Sequence, residues 1–442
     1  MKKRKITSLF VICTLVISIL LTGCGSSGSS ASKTTDITLW TFVGLHGTFY
    51  KSAAKDWNKA HPNEKINLKV TVYPYADMHN KLLVALQSGV GAPDISDVEL
   101  GQFPNFLKGK PQLADLSDLI SKDKDKFAQS RLNLYSKGGK LYGLDFHVGA
   151  TVAFYNKDIF AKAGVDPNSI KTWDDYIAAG KVIKAKTGIL MSYISQTSAW
   201  DFSLMAGQKG SDIFDDKGNV TLDDPINTAT LQQLHDMIYV DKISAVSPGG
   251  QVDTEEGYGA INKGKVASVI MPFWYTSRFL SYMPDLKGKM VVAQPPTYTA
   301  AQGNKYATEG LGGTGTVVPA IGKNIDLAKQ FLKSAKETKQ ASVDIWNELG
   351  FDPPRLDAWD DIAKNMKDSS YTKYFANGKQ LFDVLTPMEN SINSTKSVTL
   401  SPTANDLLST QVQYKVLLKN SQAAGPALKA ASDELKKKAN TK

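Results

Sequence analysis

From Asp36 to Val98 the sequence alternates strand, helix, strand, helix, strand, and this alternation restricts the fold more than any other feature. Ile37-Thr38-Leu39-Trp40-Thr41-Phe42 is β-prone throughout and stops at Gly44. Phe49, Ala53, Trp57 and Ala60 then recur at helical spacing from about Thr48, and Pro62 closes that helix. Ile66, Leu68, Val70 and Val72 alternate with Asn67, Lys69 and Thr71, as in a half-buried strand. A second helix over about 76–88 carries Met78, Leu82, Ala85 and Leu86 on one face, broken by Gly89 and Gly91 before a third strand over 93–98. Two βαβ crossovers within about sixty residues imply a parallel sheet with right-handed connections, hence an α/β lobe.

The first twenty-four residues say where such a lobe works. Lys2, Lys3, Arg4 and Lys5 precede an apolar run from Ile6 to Leu21, and Leu21-Thr22-Gly23-Cys24 follows. The run is short for a membrane span and ends in small residues before a cysteine, as a signal peptide with a lipobox does. Cleavage over 1–23 makes Cys24 the lipid attachment point, and two acyl chains suffice for stable anchoring. A Gly/Ser tether over 24–35 leads to the folded body. The expected location is the extracellular face of the cell membrane. Of the formal charge of +9, four positive charges lie at residues 2–5, so the remainder carries +5 and gives no nucleic-acid footprint. Cys13 leaves with the signal and Cys24 is lipidated, so no disulfide is expected.

The same alternation returns downstream and predicts a second lobe of similar kind. Strands are expected over 149–155, 266–271, 290–293 and 315–319. Helices are expected over 158–163, from the Thr172 cap to Lys186 with Trp173, Tyr176, Ile177 and Val182 packing inward, over 231–239, and as one long helix over 327–349. After Gly350 the chain reads as mostly helical.

In open parallel sheets ligands bind beyond the carboxyl ends of the strands. That selects 43–46 with His46, Pro74-Tyr75, Glu99, and Pro272-Phe273-Trp274-Tyr275. Aromatic faces beside carboxylates and imidazoles suit a sugar, whose C–H faces stack and whose hydroxyls take charge-assisted bonds. Trp57, Trp173 and Trp346 sit at helical spacings and read as core, while Trp40 reads equally as core or cleft wall. Trp274 follows a strand and a proline and reads as a ligand contact. Trp200, beside the polar run 195–199, is a candidate on composition alone. His46 and His147 have no partners at metal-ligand spacing, so neither metal nor cofactor is expected. No Gly-x-Ser-x-Gly elbow, His-Glu-x-x-His or phosphate loop occurs, and Leu311-Gly312-Gly313-Thr314-Gly315 enters a strand rather than a helix. A pair of glycosidase carboxylates is not excluded by spacing.

Several stretches resemble a known family. They are Trp40-Thr41-Phe42 with Gly44-Leu45-His46, Thr71-Val72-Tyr73-Pro74-Tyr75, Lys140-Leu141-Tyr142-Gly143-Leu144-Asp145-Phe146-His147, Met271-Pro272-Phe273-Trp274-Tyr275, Gly310-Leu311-Gly312-Gly313-Thr314, and Leu349-Gly350-Phe351-Asp352-Pro353-Pro354-Arg355. Together with the lipobox they resemble the extracellular solute-binding proteins, family 1, of ABC sugar importers, and most the arabino-oligosaccharide-binding lipoproteins of Gram-positive bacteria. The resemblance implies an α/β, two-lobed, periplasmic-binding-protein-like fold of type II with the ligand cleft between lobes. It places an N-lobe at 36–147 and 295–345 and a C-lobe at 148–294 and 346–442, with crossings near His147, Gln294-Pro295 and Gly350.

The implied function is capture of oligosaccharides, arabino-oligosaccharides first, by a monomeric, membrane-anchored protein. A two-subunit ABC permease with a cytoplasmic ATPase would receive them. The resemblance implies stacking by Trp274, with Tyr275 and Phe42 lining subsites and Glu99 and Asp145 accepting hydroxyl protons. His46, His147 and Arg355 would supply polar contacts, and Gly312 and Gly313 would let backbone amides approach the sugar. The alternatives are a secreted, membrane-anchored glycoside hydrolase, a receptor for another oligosaccharide such as a maltodextrin or xylo-oligosaccharide, and a binder of peptides or of phosphorylated or metal-chelating solutes. The last would need more arginine than Arg131, Arg278 and Arg355 provide.

Overall fold

The computed structural model describes residues 33–440. The expected signal peptide, Cys24 and nearly all of the expected tether lie outside the described residues. Strand β1 (Lys33–Thr41) begins inside the segment expected to be tether and pairs in parallel with β2 (Glu64–Val72) from Lys33↔Glu64 to Thr41↔Val72. On its other side β1 pairs in parallel with β3 (Ile95–Glu99) through Leu39↔Ile95. Helices α1 (Gly44–Ala60) and α2 (Tyr75–Ser88) make the two crossovers. Helix α1 starts four residues before the expected Thr48, because His46, Phe49, Tyr50, Ala54 and Trp57 all fall on its buried face. Gly89 ends α2 in the left-handed conformation, at φ 76°, where a side chain would be strained.

The fourth strand of this sheet, Thr314–Val317, comes from much later in the chain and runs antiparallel to β3, with Thr314 opposite Glu99. In the second body, Thr151–Asn156 lies between Met290–Ala293 and Ser268–Pro272 and is antiparallel to both. A parallel bridge between Leu190 and Val266, with Ala267 N–H donating to Leu190 O at 2.9 Å, carries this sheet on to Ser192–Ile194 and its parallel partner Ser244–Val246. Each sheet thus holds one strand of opposite sense, the first strand laid down after the chain crosses from the other body. The registers explain it. Thr151 lies opposite Pro272 and Thr314 opposite Glu99, so a chain entering at the carboxyl ends of the parallel strands must run away from them.

Crossing segments lie side by side. Leu144 and Thr316 exchange backbone hydrogen bonds, Leu311 N–H donates to Gly149 O (2.9 Å), and Val148 N–H donates to Asp352 O (2.8 Å). The return from the second body falls at 310–314 rather than at Gln294-Pro295. Residues 297–308 stay with that body: Trp173 N–H donates to Thr297 O (3.0 Å), Tyr298 OH donates to Gln233 Oε1 (2.8 Å), and Thr308–Gly310 pairs in parallel with Ile392–Ser394. The prolines at 295–296 therefore mark a turn and not a crossing.

Two local expectations also change. The stretch 327–349 is two helices, Ile325–Lys336 and Lys339–Leu349, because the Thr338 hydroxyl accepts the Ala341 N–H (3.0 Å) and caps a new start. The second of these packs on α1, so the first body's helical layer runs to Leu349, four residues past the expected boundary at 345. Val182 is 39 % exposed; Tyr176, Ala179 and Ile183 form the inward face of its helix, Trp173–Thr187. Trp57, Trp173 and Trp346 are core, as their spacing predicts. Trp40 is half-buried beside Tyr73 and lines a shallow groove with α2, away from the crossing segments. Among the described residues no helix is long and apolar enough to cross a membrane.

The crossing segments carry unusual buried charge. Asp352 is fully buried, accepts the Ala150 N–H at 2.8 Å on Oδ2, and leaves Oδ1 without a hydrogen-bond partner. Burial pushes its carboxyl up to about 7. A carboxyl whose pKa is higher folded than unfolded stabilises the fold below the unfolded value, near 4, and that contribution is lost as pH rises through about 7. Asp352→Asn should therefore remove a pH-dependent loss of up to about 4 kcal/mol between pH 4 and 8. Denaturant unfolding of both proteins at pH 5 and pH 8 reads this directly, and parallel pH profiles would refute it.

Candidate functional site

A cleft of about 550 Å³ opens between the two sheets. Tyr75 and residues 99–102 form its wall on the first body, residues 197–200 and 212–214 face them from the second, and residues 395–409 close one side. Leu311 and Gly312, on a crossing segment, form the remaining edge.

Glu99 ends β3 at this cleft, as the strand-end rule predicts. Its Oε2 accepts the Tyr75 OH at 2.9 Å and the Gly101 N–H at 2.8 Å, and burial raises its pKa. The Glu99 N–H donates to His79 Nε2 at 3.0 Å, while His79 Nδ1 lies 2.7 Å from Tyr75 O. Because Nε2 must accept, His79 is neutral with its proton on Nδ1, and burial lowers its pKa in keeping with that. This chain ties the first turn of α2 to the end of β3 and holds the Tyr75 ring, 43 % exposed, at the cleft. Phe42 packs behind it, with ring centroids 5.4 Å from Tyr75 and 5.0 Å from His79.

Trp200 opens the helix Trp200–Gln208, half-buried, with Nε1 3.3 Å from Gln251 Oε1. It is the tryptophan on the cleft wall. Trp274 stands behind it, edge to face at 5.8 Å; it is 7 % exposed, and its Nε1 donates to Leu311 O at 3.1 Å. The turn Phe273–Tyr275 buries all three aromatics, and Tyr275 is spent internally, its OH donating to Val252 O at 2.7 Å.

Four expected polar contacts lie off the wall. Asp145 is buried and saturated: Arg131 Nε (2.9 Å) and Tyr135 OH (2.9 Å) donate to Oδ2, and the Phe146 and Thr314 N–H groups donate to Oδ1 at 2.8 and 3.0 Å. His46 is buried on α1 with Nδ1 3.1 Å from Asp97 Oδ2, stacked on Phe146 at 4.1 Å. Asp97 is fully buried; burial raises its pKa, but His46, Lys336 and the Thr41 hydroxyl (2.7 Å) outweigh that and hold it low. His147 is 5 % exposed against Phe351, and burial brings its imidazole down to about 3. Arg355 pairs with Asp357 (2.8 Å) and Asp123 (3.2 Å) and donates to Glu337 O (2.8 Å), beside Phe127. Asp145, His46 and Arg355 brace the crossing segments and the first body, while His147 packs among them with Nδ1 unpartnered among the described residues. Gly312 lines the cleft at φ 69°. Gly313, at φ 154°, makes room for the Arg131 guanidinium, which a Cβ there would strike.

Much of the second wall had no motif to announce it. Asp212 accepts the Ile213 N–H (2.6 Å) and the Lys396 N–H, and burial pushes its carboxyl up to about 6. Ser198 and Ser397 line the cleft with hydroxyl oxygens that have no hydrogen-bond partner among the described residues. The signal for these segments is compositional: 195–198 and 394–405 are rich in serine, threonine and asparagine. Among the described residues no cluster of histidine, cysteine, aspartate and glutamate could hold a metal. Carboxyl acceptors, hydroxyls and the Tyr75 and Trp200 rings equip the cleft to hold an uncharged polyol.

Comparison with known proteins agrees. Residues 44–342 match the family described as bacterial extracellular solute-binding protein. The arabinooligosaccharide-binding protein of Bacillus subtilis (strain 168) is 45% identical over 438 residues, covering 98% of this chain and 100% of that one. The arabinooligosaccharide-binding protein of Halalkalibacterium halodurans is 42% identical over 408 residues, covering 92% of this chain and 90% of its own. In three dimensions the chain superposes on the GacH receptor of Streptomyces glaucescens with a TM-score of 0.73 at 20% identity, covering 92% of this chain and 98% of the receptor. The fold is accordingly the two-lobed α/β arrangement of type II periplasmic-binding proteins. With more than half its length matched and near-complete relatives above 40% identity, this chain belongs to the bacterial extracellular solute-binding protein family.

Proposed function

We propose that the chain is the extracellular receptor of an ABC importer, capturing arabino-oligosaccharides and delivering them to a membrane permease. The observation that carries this reading is the cleft between two sheets, walled by Trp200, Tyr75, Glu99, Asp212 and unpartnered serine hydroxyls, in a chain 45% identical end to end to an arabinooligosaccharide-binding protein.

Trp200 offers an apolar face to a sugar ring, Glu99 and Asp212 accept hydroxyl protons from opposite walls, and Gly312 leaves the backbone at the edge uncovered. A closed form touches the sugar from both lobes and an open form from one, so binding shifts the lobes toward closure. A micromolar site needs about 8 kcal/mol at standard state, within reach of one or two stacks and several charge-assisted bonds. The lobes divide at 145–150, 310–314 and 350–355. The closed, liganded form then docks as a monomer on a two-subunit permease driven by a cytoplasmic ATPase, and Cys24 carries the lipid that keeps the receptor at the outer membrane face.

Calorimetric titration of a soluble form beginning at Gly25 tests the reading, with linear arabino-oligosaccharides, maltotriose, xylotriose and arabinose as ligands. The expected result is micromolar binding of the arabino-oligomers, recovered intact afterwards. Binding of another oligomer alone would move the substrate within the family, and cleavage would turn the reading to a hydrolase.

A further inference from the structure

The wall that carries Trp200 is not part of a sheet, yet several of its backbone polar groups are held by hydrogen bonds from elsewhere in the chain. Ser195 N–H donates to Asp201 Oδ2 (2.9 Å), and the N–H groups of Gln196 and Thr197 both donate to Gly250 O (2.7 and 3.1 Å). On the carbonyl side one side chain does the holding. Gln413 is 1 % exposed, and its Nε2 donates to Gln196 O at 2.7 Å and to Ser198 O at 2.9 Å. Gln196, 5 % exposed, reaches back and donates its own Nε2 to Ser409 O at 2.7 Å. Gln413 and Ser409 lie on the π-helix Leu408–Leu418, which continues the helix Ser401–Leu407, and Ser409 and Asn405 themselves line the cleft. Three hydrogen bonds from two buried glutamines to backbone carbonyls therefore join two walls of the same cleft.

We propose that Gln413 and Gln196 form a positioning clamp that holds residues 197–200 in the shape that accepts the ligand, setting where Trp200 and the Ser198 hydroxyl stand. The inference rests on the reading of this cleft as the sugar site. A primary amide suits the task because its two N–H donors match two carbonyls, and each carbonyl left unmet in the protein interior is costly. Neither glutamine is on the wall itself, so each acts through the residues it holds. Without the clamp the loop samples other shapes, and only the fraction in the accepting shape binds.

Gln413→Met keeps the size of the side chain and removes the donors. It should raise amide hydrogen exchange over 196–200 in the free protein at least about tenfold, with the strands of both sheets unchanged. It should also weaken arabino-oligosaccharide binding about tenfold, near 1.4 kcal/mol. In a Trp200→Ala background the same substitution should cost less than about threefold, because the clamp acts through the wall that carries Trp200; a general loss of structure would instead add in full. Wild-type exchange over 196–200 with wild-type affinity would overturn the proposal, as would full additivity. If Gln413→Met does not fold, Gln196→Met cuts the bond to Ser409 from the loop side and is read the same way. If the wild-type protein takes none of the sugars, the function proposed above fails, while the exchange measurement still decides the clamp.

Discussion

Arg131→Met should cost about 3–5 kcal/mol of stability, the size expected when one partner of a buried ion pair is removed. Arg131 is fully buried and donates to Asp145 Oδ2 from Nε at 2.9 Å, to Gly312 O from Nη2 at 2.6 Å and to Gly310 O from Nη1 at 3.4 Å. It thereby joins the outgoing crossing segment, which carries Asp145, to the returning one. Burial alone would raise the Asp145 carboxyl, but the Arg131 charge and its hydrogen bonds outweigh that and hold it at about 2. At neutral pH the substitution therefore leaves a buried carboxylate without the guanidinium that bonds it, and removes the Arg131 donors from the Gly310 and Gly312 carbonyls. Asp145→Asn added to Arg131→Met should recover part of the loss, because the neutral amide no longer needs the guanidinium. Unfolding free energies of the single and double variants measure this. An Arg131→Met protein within 1 kcal/mol of wild type would mean that water or a neighbouring cation replaces the guanidinium.

That pair also shows where reading the sequence stops. The alternation over 36–98 gave a parallel sheet, and the strand-end rule then put Glu99 at the cleft; both are local consequences of residue spacing. Asp145 and Arg355 are polar residues in stretches shared with a sugar-binding family, which makes them look like ligand contacts. Their partners, Arg131 for one and Asp123 with Asp357 for the other, become neighbours only when the crossing segments come together. His46 was misplaced for a simpler reason: with α1 starting at Gly44, it lies on the helix's buried face instead of in a loop. The antiparallel strands 151–156 and 314–317 are β-prone like the other strands of their sheets, and nothing in their residues encodes direction. Direction follows from which end of the sheet the chain enters. The second wall, drawn from 197–200, 212–214 and 395–409, was hardest to read, since no periodicity marks loops and helix starts that come together only in the fold.

The two tryptophans near the cleft separate affinity from stability. Trp200→Ala should weaken oligosaccharide binding at least about tenfold, 1.4 kcal/mol or more, and lower the apo melting temperature little. Its ring is half-buried, and its indole N–H makes one long hydrogen bond, 3.3 Å to Gln251. Trp274→Ala should cost about 3–5 kcal/mol of stability, as deletion of a buried tryptophan does. That side chain is 7 % exposed, backs Trp200, bonds Leu311 O and lies 5.2 Å from the Arg278 guanidinium. The resemblance gives the stacking role to Trp274; its position behind Trp200 points instead to a supporting one. Calorimetric titration and thermal unfolding on the same two variants distinguish the roles. Tight binding by Trp200→Ala would move the stacking face to Tyr75 on the opposite wall, and a fully stable Trp274→Ala that binds weakly would return the role to Trp274. Because Trp274 supports Trp200 from behind, any affinity lost in Trp274→Ala should largely vanish in the double variant, where the ring it supports is already gone.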